Sequence, residues 1–373
     1  MDFKLDDEQE MIVQTIRRFA DRDLRAWAAD ADRAGKPPEK LTSTGAELGF
    51  FLDAVPADAD GLLEGSYSHT NRALRGFELG RGCAALAAVL ETNVEPALAV
   101  GRWGTAAAKQ ALFGSLASGG LATLYHDSRG SLEISGLDQS LPRPSGRGSD
   151  TPDYVVTGKL GPIPALATAK HVLVVTPSVM FLVPTDGLAQ TPIVPSGWRA
   201  ASWATATLDR HAIAPELVVS RDPEPIALVL AWARVSLAAR AAGVAIAAME
   251  YAEAYAKERV QFGQPIGKFE SLIRLRDDAV TTALAAKVFA LHAAWALDAN
   301  RPDAVDLASR ARVLAGDAVT RATIDAVQIY GGYGFVNDFP VEKLMRDARA
   351  FEALHGDERL GRVLAQKAQK GQE

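Results

Sequence analysis

Two short stretches far apart in the chain carry side chains suited to holding a phosphate. The first is Tyr255-Ala256-Lys257-Glu258-Arg259-Val260-Gln261-Phe262-Gly263-Gln264-Pro265-Ile266, followed by Phe269. In it Arg259 is permanently charged and presents a forked set of donors that matches phosphate oxygens. The second is Gln328-Ile329-Tyr330-Gly331-Gly332-Tyr333-Gly334-Phe335, continuing through Asp338-Phe339-Pro340-Val341-Glu342-Lys343 to Arg346-Asp347-Ala348. There Gly331 and Gly332 let backbone N–H groups approach an anion without side-chain obstruction. Gln328 adds an amide able to bond a phosphate or a neighbouring backbone group. Taken alone, a Gly-Gly pair after a helix is usually a C-cap, and an arginine near a helix end usually makes a solvated dipole contact. Short motifs match by chance often. Both motifs in order, with the Asp-Phe-Pro-Val-Glu continuation, make coincidence a poor explanation.

Other candidate groups are less informative. His126 and His292 have no companions at metal-ligand spacing and read as packing or surface residues. The single cysteine, Cys83, rules out an internal disulfide and a cysteine zinc site, and points to a reducing, cytoplasmic setting. Asp127 and Glu133 are charged loop residues by default. A net charge of −6 with both signs interspersed leaves no basic patch for nucleic acid. The first residues, Met1-Asp2-Phe3-Lys4-Leu5-Asp6-Asp7-Glu8, lack the apolar run of a secretion signal.

The elements that must position these groups fall into three blocks. Residues 1–118 read as all-α, apart from a Pro/Asp/Gly loop at Val55 to Gly65; Met11, Ile12, Ile16, Phe19, Ala20 and Leu24 recur at helical spacing over residues 7–29. Residues 119–224 are richer in glycine, proline and β-branched residues, with strand-like runs at Tyr154-Val155-Val156, His171 to Val175 and Val179 to Val183. Gly130 to Thr151 reads as an exposed loop. Residues 225–373 are helical again, with long segments at Ile226 to Arg259, Phe269 to Leu297 and Pro302 to Tyr330, broken by glycine or proline and followed by a C-terminal helix. These make an antiparallel four-helix bundle. Ile226 to Met249 is apolar enough to suggest a membrane span, but Arg234 and Arg240 inside it favour a buried helix. The fold class is α+β, mostly α.

The two C-terminal motifs, their separation and this block order closely resemble the acyl-CoA dehydrogenase family. Weaker echoes run through Glu78-Leu79-Gly80, Gly158-Lys159 and Gly197-Trp198-Arg199. The resemblance implies an FAD shared across a subunit interface, with Arg259, Gln261, Phe262, Gln328, Gly331 and Gly332 on its adenosine-pyrophosphate half. It also implies removal of an α-proton from an acyl-CoA thioester by a carboxylate while the β-hydrogen passes to the flavin as hydride, with electron-transferring flavoprotein as acceptor.

The chain departs from the family where that chemistry is done. The usual glutamate position is His355, in Leu354-His355-Gly356-Asp357, and the alternative one is alanine, in Trp232-Ala233-Arg234. The family's Thr-Glu-Pro segment is replaced by Leu124-Tyr125-His126-Asp127-Ser128-Arg129, and its Trp-Ile-Thr by Pro162-Ile163-Pro164, which has neither the π-face nor the donors that hold an isoalloxazine ring. No residue is assigned as catalytic and none as a metal ligand. The resemblance is therefore to the non-catalytic subunit of a heteromeric, α2β2 enzyme, as in bacterial enzymes that shorten steroid side chains, with acyl-CoA bound mainly by the catalytic partner. Two alternatives stay open: a self-sufficient flavoenzyme with His355 as base, and a flavin-free scaffold.

Overall fold

The computed structural model describes residues 4–128, 130–136, 154–352 and 354. The N-terminal helices are α1 (Asp7–Phe19), α2 (Arg25–Ala34), α3 (Glu39–Glu47), α4 (His69–Leu90), α5 (Val94–Trp103) and α6 (Ala106–Ala117). A capping box starts α1: the Asp6 carboxylate accepts from Gln9 N at 2.8 Å, and the Gln9 side chain accepts from Asp6 N at 3.3 Å. A π-turn over Ala20–Leu24 joins α1 to α2, so the helix expected over residues 7–29 continues to Ala34. Met11, placed by its spacing on the apolar face, is exposed.

The middle block carries β1 (Ala122–His126), β2 (Glu133–Ser135), β3 (Tyr154–Ile163), β4 (His171–Val175), β5 (Met180–Pro184), β6 (Ala189–Pro192), β7 (Ala204–Ile213) and β8 (Val218–Ser220). One sheet has the order β1-β4-β5-β8, parallel only between β1 and β4; the other has the order β2-β3-β7-β6 and is antiparallel throughout. Glu133 corrects the loop expectation, because Glu133 pairs with Thr157 and Ser135 with Val155 along β3. The rest of that expected loop from residue 137 on, residues 137–151, lies outside the described residues.

The C-terminal block is α7 (Pro223–Glu258), a hairpin of β9 (Val260–Gln261) and β10 (Gln264–Pro265), then α8 (Glu270–Asp298), α9 (Ala304–Tyr330) and α10 (Pro340–Glu352). Here α7 is the central element, packed against α4, α8 and α9. Glycine permits its approach to α4: a Cβ on Gly243 would stand 2.0 Å from the Phe77 carbonyl oxygen, and one on Gly80 would stand 2.3 Å from that of Arg240. On α8, buried Ala279, Ala283, Ala286, Ala290 and Ala293 recur at spacings of three and four and let neighbouring helices close on a narrow face. Asp298 at its end reaches back to α4, accepting from His69 N at 2.7 Å and Thr70 N at 2.9 Å. By length and composition α7 and α8 could each cross a membrane, as could the bent pair α4–α5 taken as one span; the apolar window of α7 is 94% buried inside the protein and that of α8 39%.

Candidate functional site

The two phosphate-type motifs meet at one end of the bundle. Arg259 stands where α7 stops, its backbone N–H still bonded to Tyr255 O at 2.9 Å. The chain then turns through the β9–β10 hairpin, whose central residues Phe262 (φ 51°) and Gly263 (φ 80°) are both left-handed, as a two-residue hairpin turn requires. At the end of α9, Gly331 adopts φ 59°, ψ −133°, a conformation open essentially to glycine alone, and its N–H bonds Gln328 O. Among the described residues, and leaving aside each glycine's chain neighbours, no atom lies within 4 Å of where a Cβ would sit on Gly331 or Gly332.

Arg259, Gln261, Gly331 and Gly332 line one cavity of about 450 Å³, with Tyr255, Tyr330 and Tyr333 as its aromatic wall. The Arg259 guanidinium lies 5.7 Å from the Tyr333 ring centroid, and no acidic side chain among the described residues pairs with it. Gln261 donates to Val260 O at 2.7 Å. Two of the expected residues are near but do not line the cavity. Phe262 projects from the hairpin tip, 94% exposed, and Gln328 is exposed on the last turn of α9. An unpaired guanidinium, two bare glycines and an open cavity suit the pyrophosphate of an FAD.

The segments that the resemblance would place around the flavin ring and the base converge elsewhere, between the sheets and the bundle. Leu124, Pro164, Ala233 and Leu354 all line one cavity there, and its volume is about 40 Å³. That is far below the roughly 300–1,000 Å³ of sites for drug-sized ligands. Trp198 fills much of the space: it is fully buried, edge-on to Phe351 with centroids 4.8 Å apart, and its backbone N–H donates to Asp347 Oδ1 at 2.7 Å. Thr123, just before the first replaced segment, donates through Oγ1 to Pro164 O in the second at 2.9 Å. Asp127 is a buried clamp and not a free loop charge, accepting from Ser131 N, Ser131 Oγ and Leu132 N, each at 2.9 Å. Beside it, burial, with Arg234 adding to it, pushes the His126 imidazole down to about 4. The described residues that line this small cavity do not fit an isoalloxazine ring. His355 lies outside the described residues.

Charged and aromatic side chains occupy the adjoining space between α4, α5 and α7. Arg72 is bidentate to Glu95 at 2.8 and 3.1 Å, and Arg75 reaches Asp53 at 2.6 Å and Glu91 at 3.0 Å. Arg240 lies 3.7 Å from Glu91 and donates to Ser236 Oγ at 3.0 Å. Burial opposes ionisation of Glu91, but Arg75, Arg72 and Arg240 outweigh it and hold the carboxyl below its ordinary value. Next to this network Trp103, Trp232 and His69 stack in series, with centroids 5.5 and 5.4 Å apart. Burial, then Arg72 and Arg102, pushes His69 down to about 3. Sequence reasoning did not find this network. Its one signal was Arg240 within an apolar helix, which counted there only against a membrane span. His292 is likewise placed by packing, lying near Phe289 at 6.1 Å and Trp295 at 5.7 Å. Among the described residues no group of three or more His, Cys, Asp or Glu could hold a metal.

Comparison with known proteins agrees with this geometry at the level of the family. Residues 6–120 match the acyl-CoA dehydrogenase N-terminal domain and residues 226–368 the acyl-CoA dehydrogenase C-terminal domain. The probable acyl-CoA dehydrogenase YngJ of Bacillus subtilis (strain 168) is 31% identical over 98% of this chain and 98% of its own. Among solved structures, one of the electron transferring flavoprotein of Acidaminococcus fermentans has a chain 25% identical, covering 99% of each, with a TM-score of 0.84. Butyryl-CoA dehydrogenase from Megasphaera elsdenii superposes over 99% of each chain at 23% identity and a TM-score of 0.83, which speaks for the fold. With matching models at both ends and a relative aligned from end to end, the chain belongs to the acyl-CoA dehydrogenase family.

Proposed function

We propose that this chain is the non-catalytic subunit of a heteromeric acyl-CoA dehydrogenase and completes the FAD site of a catalytic partner subunit. The partner supplies the ring pocket, the proton-abstracting carboxylate and most of the acyl-CoA contacts for α,β-desaturation of the thioester. This chain supplies Arg259, Gln261, Phe262, Gln328, Gly331 and Gly332 to the dinucleotide's phosphate half across the subunit boundary. The assembly is α2β2, with half as many flavins as polypeptides, and it passes electrons to an electron-transferring flavoprotein. The likeness to the Acidaminococcus fermentans structure supports that acceptor.

One contrast carries the reading: about 450 Å³ of open space lies beside Arg259, Gly331 and Gly332, against about 40 Å³ where the ring and base segments converge. Exposed apolar side chains on the hairpin and the α9–α10 connection, Phe262, Val260, Phe335 and Val336, give a partner a surface to bury. The test is co-expression with an acyl-CoA dehydrogenase encoded beside this chain. The purified complex is expected to hold one FAD per two polypeptides, and Arg259→Ala is expected to strip most of that FAD while the complex still forms. Full FAD retention by the Arg259→Ala complex would overturn the proposal in favour of a flavin-free scaffold.

A further inference from the structure

We infer that Tyr333 is the positioning residue for Arg259: its ring face holds the guanidinium so that the forked donors meet the partner's dinucleotide already aimed. This deepens, and rests on, the function proposed above. Arg259 leaves the end of α7 at an exposed position, where a long side chain would otherwise sample many rotamers. Among the described residues, its guanidinium sits over the Tyr333 ring, 5.7 Å from the centroid. A carboxylate in that place would hold the arginine more strongly but would compete with phosphate for the same N–H groups. A ring face attracts the cation through its π-electrons and consumes none of the donors.

Tyr333 is itself packed against other rings. Its ring meets Phe339 at 5.4 Å and 63°, and Tyr255 at 6.4 Å and 64°. Tyr255 stacks on Tyr330 at 4.2 Å and 13°, and Tyr330 Oη donates to Tyr251 O at 3.2 Å. Contacts therefore run from the α7 backbone through packed rings to the guanidinium, and the last of them uses the aromatic face and not the phenol. Phenylalanine at 333 should keep the function, and an aliphatic residue of similar bulk should lose it.

The experiment measures the rate of FAD release from the complex of this chain with its flavin-bearing partner. Tyr333→Leu is expected to speed release roughly three- to tenfold, the scale of a cation–π contact, while Tyr333→Phe stays near the unsubstituted rate. In an Arg259→Ala background, Tyr333→Leu is expected to add nothing, because its effect passes through the guanidinium. Equal release from Tyr333→Phe and Tyr333→Leu, or a full additional effect in the Arg259→Ala background, overturns the inference while leaving the proposed function standing. Unchanged release from Arg259→Ala alone overturns the proposed function, and the inference with it. Should Tyr333→Leu prevent assembly, Tyr333→Met takes its place with the same outcomes.

Discussion

Phe262 occupies a left-handed backbone conformation at the tip of a hairpin and leaves 94% of its surface in solvent. A large side chain in that conformation costs on the order of 1 kcal/mol, and an exposed ring recovers little of it within the free chain. Its main internal contact is an edge-on approach to Phe269 at 6.2 Å. The cost is offset only when another surface covers the ring. Phe262→Gly is therefore expected to leave the free chain as stable as before, or more stable by up to about 1 kcal/mol, while weakening partner binding roughly tenfold or more. Thermal unfolding of the chain alone and titration against the partner read the two effects; a destabilised free chain with unchanged partner affinity would contradict the account. Trp198 is the opposite case, a large ring with no exposure that fills its own fold. The sequence motif Gly197-Trp198-Arg199 was visible as a family echo, but its role as filler was not, because filling depends on Phe351 and Pro164 arriving from distant segments.

Elements differ in how far their own residues announce them. The long helices are legible because apolar periodicity accumulates over many turns and glycine or proline marks each break. The β9–β10 hairpin hides inside one of those breaks: two residues per strand are too few to show alternation, so Phe262-Gly263 reads only as a helix stop. β2 hides for a related reason, since its three residues become a strand only through pairing with β3. Asp298 is another long-range case. It ends α8 yet caps α4, accepting from two backbone N–H groups that the start of that helix would otherwise leave unpaired. Asp298→Ala is expected to cost about 2 kcal/mol of stability, and Asp298→Asn less, because the amide oxygen still accepts. Urea unfolding checks the order; stability in both variants equal to that of the unsubstituted chain would show that the cap contributes nothing.

At the scale of the whole molecule, the described residues leave a cavity of about 40 Å³ where the ring and base segments converge, and groups that must keep their charge states lie beside it. His69 is buried and His126 half-buried, and both are neutral, with folded values pushed down to about 3 and about 4 from an ordinary 6.5. Because both folded values lie below the unfolded one, the stability they contribute is complete above 6.5 and is lost as pH falls, through the folded values. Between roughly pH 6 and pH 4.5 each should cost about 1.4 kcal/mol per pH unit as the unfolded chain gains protons first. The urea midpoint is expected to drop between about pH 7.5 and about pH 5, and His126→Gln is expected to shrink that drop; an unchanged drop would contradict the assignment. The molecule thus invests its interior in itself and leaves the phosphate-type groups at its edge. The most direct measurement is the flavin content and visible spectrum of the chain purified alone and with the proposed catalytic partner. The account expects no flavin on the chain alone, and one per two polypeptides in the complex, bleached by acyl-CoA. One flavin per polypeptide on the chain alone, bleached by acyl-CoA without a partner, would contradict it.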